Sequence, residues 1–168
     1  QTAENISAGI INRAITGGLG GYGGGPLILD MWTGAPAEGA PESLLLRLAT
    51  YQIREHYMGS WVPSGVGGHV SAQVPGLQAG IEKAIGILFG MLAGQRSFAA
   101  FGSLAAGDVG SIVQLMIDLE VGNWMKRLWR GISVTGDTLA EDIIIKAGIG
   151  SSFLGNPHTI KHLRDEIW

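Results

Sequence analysis

Apolar positions along the chain follow two rhythms. From Thr2 to Ile15 they fall three and four apart, at Ile6, Ile10 and Ala14 with Ile11 and Ile15 beside them, the spacing of one helical face. The glycine run GGLGGYGGG stops that helix, and PLILDMW (26–32) follows as a short apolar block ahead of the turn-forming TGAPAEGA. Such a block is too short for a helix and suits a strand buried on both faces, with Asp30 and Trp32 at its carboxyl end. Pro41 then opens a helix to about Met58, where Leu44, Leu45, Leu48, Tyr51 and Ile53 form a wide apolar stripe. SWVPS (60–64) is a second strand candidate, weakened by Pro63 inside it. Beyond the loop GVGGHVSAQVPG come a helix from Leu77 to about Gly94, a third strand candidate in RSFAAFG (96–102), a long helix within 108–131 and a shorter one within 136–150. After SSFLG, Pro157 opens a terminal helix with Asn156 as its N-cap.

Strand, loop and helix recur in that order, which predicts parallel strands joined by crossover helices, an α/β architecture. Three or four strands are too few for a closed eight-stranded barrel but close to half of one. A length of 168 residues fits a single domain. The chain opens on Gln1, not Met, and enters a helix at once, so it reads as part of a longer protein. Its 28 glycines exceed the usual share of about 7% and are scattered among apolar stretches, which predicts close backbone approaches and not disorder.

Charge and composition exclude several classes. A net charge of −3 without a basic cluster disfavours nucleic-acid binding. The absence of cysteine removes disulfides and thiolate metal sites. The longest apolar run, AIGILFGMLAG, is about half of a membrane span, and no signal peptide is evident, so a cytoplasmic protein without membrane contact is expected. GGLGGYGGG follows a helix and precedes a strand candidate, the reverse of a dinucleotide fingerprint, and no Walker motif, metalloprotease helix or nucleophile elbow occurs.

Polar and aromatic residues gather where strand candidates end: Asp30 and Trp32, Trp61 and His69, then Phe101. In parallel α/β folds that edge carries active sites, although the tryptophans serve equally well as packing over the mouth. On the terminal helix His158, Thr159 and His162 share one face, which suits either a site or a solvated amphipathic end. The histidine spacing would let two imidazoles face one zinc ion, but no glutamate intervenes, and no metal is assigned.

Five blocks carry a resemblance: DMWTGAPAEGAPESLLL; VPGLQAGIEKAIGILFGMLAGQRSF; SIVQLMIDLE followed by RGISVT; LAEDII; and FLGNPHTIKHLRDEIW. In this order they resemble consecutive blocks of the trimethylamine and glycine betaine methyltransferase family, from about Pro26 to Trp168. The paired motifs QAG-x-EK and PHT-x-x-H are its most specific marks. Gly76 departs from the pattern, standing where an acid is expected, and GGHVSAQ replaces a more polar loop.

The resemblance implies a (β/α)8 TIM-type barrel of which this chain is roughly the carboxyl-terminal half, with 1–25 a lead-in and 26–168 the βα units. It implies a methyltransferase of methylamine metabolism and methanogenesis. A methyl group would pass from a methylated amine, such as the quaternary glycine betaine or the tertiary trimethylamine, to the Co(I) corrinoid of a partner protein, with no cofactor bound permanently. Some members use pyrrolysine for trimethylamine; every letter here is standard, which tilts the expectation slightly toward a betaine. Cobalt is itself the nucleophile, so the chain needs none and its task is to orient a cation. Aromatic faces with a nearby carboxylate do that best, which selects Trp32, Trp61, Tyr57 and Phe101 with Asp30 or Glu42; His69, Gln78 and His158 complete the expected substrate-binding set. His158 is expected to make a hydrogen bond at the barrel mouth. The alternatives are a non-catalytic barrel relative that binds a quaternary amine or a corrinoid protein, and a structural fragment. Assembly as a homo-oligomer stays open.

Overall fold

The helices that the apolar spacing predicts are present in the computed structural model, one of them in two pieces; the structure describes residues 2–17, 26–59 and 65–166. The chain divides into two units, Gln1–Met125 and Lys126–Trp168. In the first, α1 (Thr2–Thr16) packs on α2 (Pro41–Met58). Pro41 stands at the start of α2, where its missing N–H removes no helical bond, and Gly59, at φ 77°, ends it by donating its N–H to the Glu55 carbonyl at 3.0 Å. α3 (Leu77–Leu92) follows Gly76, whose φ of 152° strains any side chain. The glycine that breaks the family pattern is thus a backbone requirement in this chain.

Two small apolar clusters hold this unit: Leu44, Tyr51 and Val66 with Leu48 against them, and Val70, Ala72, Ala79 and Leu104. Between them the loop after α2 crosses α3 at Gly67 and Gly86. A Cβ on Gly86 would lie 2.7 Å from the Gly67 Cα, closer than atoms tolerate, so the crossing depends on glycine. This is the close backbone approach that the scattered glycines predict.

The strands differ from expectation. PLILDMW leads into a turn, and Leu29 makes an antiparallel bridge with Pro36 of the segment that follows. Asp30 closes a turn by accepting from the Trp32 N–H at 3.0 Å and the Thr33 hydroxyl at 2.7 Å, and the Ala37 N–H then reaches the Ile28 carbonyl at 2.8 Å. Among the described residues RSFAAFG joins no strand ladder, and Ala100 and Gly102, at φ 65° and 78°, turn it out of the extended region. SWVPS lies outside the described residues. The paired strands are β1 (Ser103–Leu104) and β2 (Val109–Gly110), antiparallel and joined by one 3₁₀ turn at Ala105–Gly107. Among the described residues, then, the expected run of parallel βα units is corrected to helices with one small antiparallel pair. A parallel strand needs a neighbour for its N–H and C=O groups, and among the described residues neither run has a parallel one, so local turns and the antiparallel bridge absorb those groups instead. The α/β class holds only at that coarse level.

α4 (Ile112–Arg130) follows β2. In the second unit the predicted helix over 136–150 is broken into α5 (Gly136–Leu139) and α6 (Glu141–Ala147) by Ala140 in the left-handed region. Thr135 caps α5 reciprocally with Thr138, which satisfies two backbone donors over a single turn. α7 (Pro157–Glu166) begins as predicted: the Asn156 side chain accepts the His158 N–H at 2.9 Å.

Candidate functional site

α2 and α3 flank a groove of about 780 Å³. Its walls are apolar: Pro41, Leu44 and Leu45 from α2 face Leu77, Ile81, Ile85 and Phe89 from α3. Ser71, Gln78 and Glu82 supply its polar groups. The Glu82 carboxylate accepts from the Ser71 N–H at 2.7 Å, the Ala72 N–H at 3.2 Å and the Gln78 amide at 2.7 Å. Gly39 donates its N–H to the Ser71 hydroxyl at 3.1 Å, and a Cβ at this position would overlap the carboxylate. Among the described residues no lysine, arginine or histidine nitrogen comes within 4.0 Å of Glu82. Among the described residues its charge is met by dipoles and not by a counter-ion.

The adjacent residue has a counter-ion. Lys83 and Asp118 form an ion pair with both side chains at 0% exposure. The Lys83 ammonium also donates to the Ala100 carbonyl at 2.8 Å, while Asp118 accepts from the Gly102 N–H and the Gln114 amide, each at 2.6 Å. Burying two charges is favourable only when further hydrogen bonds support them; here both carboxylate oxygens and two of the three ammonium donors are engaged, while the Gln114 amide oxygen has no partner among the described residues. These contacts also fix the turn at 100–102, and with it Phe101, whose ring packs over Gly122. Glu38 pairs with Arg47, whose guanidinium also donates to the Gly65 carbonyl at 2.8 Å.

In the second unit Asp137 collects three partners from α7. His158 Nε2 donates to the Asp137 carbonyl at 2.6 Å, and its carboxylate takes Lys161 at 2.6 Å and His162 Nε2 at 3.1 Å. The hydrogen bond and charge of Lys161 hold the Asp137 carboxyl below the usual range, with His162 adding to this. The ligand atoms of Asp137, His158 and His162 lie within 4.8 Å of one another, close enough to surround a metal ion. Here both ring nitrogens face oxygen as donors and Lys161 already occupies the carboxylate, so the group works as a hydrogen-bonded clasp.

The residues singled out from sequence fall in separate places. Gln78 lines the α2–α3 groove, Phe101 lines a smaller cleft beside β1 and β2, and His158 lines one beside α5. Asp30 spends its carboxylate on its own turn, where the Trp32 N–H and then the Thr33 hydroxyl lower its pKa. Trp32 is 97% exposed. Glu42 and Tyr57 sit at opposite ends of α2, about 22 Å apart at 1.5 Å per residue, so a single ammonium meets one or the other. Tyr57 makes an edge-on contact with His56 at 5.0 Å, and the His69 ring lies against Gly107. Trp61 lies outside the described residues. The groups missed are Glu82, Lys83, Asp118, Gln114 and Asp137. Two of them had a visible signal, since Glu82 and Lys83 are an adjacent acid and base inside the otherwise apolar α3.

A family model described as trimethylamine methyltransferase matches residues 1–168. The chain belongs to this family. Trimethylamine methyltransferases of Methanosarcina barkeri and Desulfitobacterium hafniense are similar to it: 35% identical over 162 residues and 31% over 146, covering 95% and 86% of the chain. A proline betaine:corrinoid methyltransferase of Eubacterium limosum is 34% identical over 152 residues, 88% of the chain. The chain spans 29% to 32% of the length of these relatives. Within the trimethylamine methyltransferase family chain, the QAG-x-EK motif supplies the groove carboxylate and the buried ion pair, and PHT-x-x-H supplies the clasp. Among the described residues no helix is long and apolar enough to cross a membrane.

Proposed function

We propose that this chain is part of a cytoplasmic (β/α)8-barrel methyltransferase that moves a methyl group from a methylated amine to a corrinoid protein. The observation that carries this reading is the family match over residues 1–168, supported by relatives named for trimethylamine and for proline betaine with corrinoid. The Co(I) corrinoid, a substrate carried by the partner, supplies the electron pair that forms the carbon–cobalt bond, while the C–N pair returns to nitrogen and leaves a neutral amine. This chain's own work is then positioning and exclusion of water. An ammonium without N–H groups is held by apolar contact and by negative charge, and the α2–α3 groove offers both, with Gln78 at its polar edge.

The reading is tested with the intact protein and its corrinoid partner, following loss of one N-methyl group from trimethylamine and from proline betaine by NMR. Demethylated amine should accumulate only when the reduced corrinoid protein is present. Its absence for every methylated amine tried would leave the non-catalytic, amine-binding alternative.

A further inference from the structure

We infer that the clasp of the second unit is also a transition-metal site, at which a divalent ion of the zinc class displaces Lys161 and is held by Asp137, His158 and His162. The inference is independent of the methyl-transfer reading. Two histidines four apart on α7 make a pair of ligands and no more. The fold adds a carboxylate from the start of α5, 21 and 25 residues away along the chain. Zinc bonds of about 2.0–2.2 Å to nitrogen and oxygen place neighbouring ligand atoms of a tetrahedral site roughly 3.3–3.5 Å apart. Here the His158 Nε2 lies 3.7 Å from one Asp137 carboxylate oxygen and the His162 Nε2 3.1 Å from the other. One ligand atom from each of the three residues falls within 4.8 Å of the other two. The imidazoles are mostly buried, at 18% and 20% exposure, with ring centroids 4.4 Å apart, so they are held in place before an ion arrives.

A cation already sits on this carboxylate. Lys161 Nζ is 2.6 Å from Oδ2, but its side chain is 62% exposed and that of Asp137 54%. An ion pair so open to water is weak, and its lysine swings away at little cost. Coordination uses the Nε2 lone pairs, so in the bound form each neutral ring carries its proton on Nδ1. The hydrogen bond from His158 to the Asp137 carbonyl is then exchanged for a metal bond. Imidazole and carboxylate together select zinc and its first-row neighbours over calcium and magnesium, which take oxygen ligands. The cleft of about 400 Å³ that Asp137 and His158 line also holds Glu141 and Asp142. Their charges draw cations toward the site, and the open space admits water to a fourth coordination position.

The test titrates zinc chloride into the metal-free intact protein, reading affinity by calorimetry and the imidazole nitrogen shifts by NMR. In wild type zinc should move the His158 and His162 Nε2 signals, and magnesium should move neither. Asp137→Asn and His162→Gln should each weaken binding at this site by at least about tenfold. Lys161→Met removes the competing cation, so it should bind zinc no more weakly than wild type and up to about fivefold more tightly. Nε2 signals that stay fixed in excess zinc overturn the inference, as does an affinity unchanged in both D137N and H162Q, which would put the zinc elsewhere. Should those two variants lose helix content, K161M decides: zinc binding retained or tightened, with both ring signals moving, supports the site, and weaker binding overturns it.

Discussion

Lys83 shows what a single side chain does in this structure. Its ammonium is sealed from water and held by Asp118 and the Ala100 carbonyl, so Lys83→Met leaves Asp118 charged and unpaired in the interior. Removing one partner of a buried pair costs about 3–5 kcal/mol, and urea denaturation should show a loss of that size. Replacing Asp118 with leucine in the same chain should not restore stability, because the Gly102 N–H and Gln114 amide then lose their acceptor. Recovery in the double variant would mean that the pair acts alone. Trp32 is the opposite case. At 97% exposure it carries little packing, so Trp32→Leu should change stability by less than about 0.5 kcal/mol, and any selective loss of cationic ligands would then report recognition and not core. Asp137 gives a pH dependence. Its pKa is lowered in the folded chain, chiefly by Lys161, so its contribution is complete above the ordinary aspartate value of about 3.9. It is lost as pH falls through the lowered folded value. NMR shifts of the His158 and His162 rings should therefore show a step at low pH in wild type that is missing in Asp137→Asn; identical titrations would exclude the clasp.

Helices were legible because their signals are local. Pro41 and Pro157 mark starts, Gly59 an end, and the spacing of Leu44, Leu48 and Tyr51 a buried face, none of which needs a distant partner. The strand candidates depended on pairing that a linear pattern cannot show, and there the turn chemistry of Asp30 and the left-handed Ala100 won. The break at Ala140 had no warning, since alanine favours helix and yet stands in the left-handed region between α5 and α6. Among candidate site residues, Gln78 lay in the right motif, but the charge next to it is Glu82, which was read as part of a signature and assigned no task. Gly86 carries the element-scale prediction. Its contact with Gly67 leaves no room for a methyl group, so Gly86→Ala should destabilise by about 1–3 kcal/mol despite alanine's better helix propensity. A gain in melting temperature would show that the crossing adjusts freely.

On the scale of the molecule, the chain spans 29% to 32% of the length of the relatives in its family. α4 exposes Ile112, Val113, Met116 and Leu119 at 46% to 81%. A contiguous apolar face of this kind seeks cover, so the 168 residues prepared alone should sediment above the 17.6 kDa of a monomer and disperse with mild detergent. The measurement that bears most directly on function is the cobalt spectrum of the reduced corrinoid partner after mixing with the intact protein and a quaternary amine. Methyl transfer predicts conversion of the Co(I) bands to those of methyl–cobalt, stoichiometric with amine, and slowed at subsaturating amine by Glu82→Gln. A Co(I) spectrum unchanged by any methylated amine would contradict it.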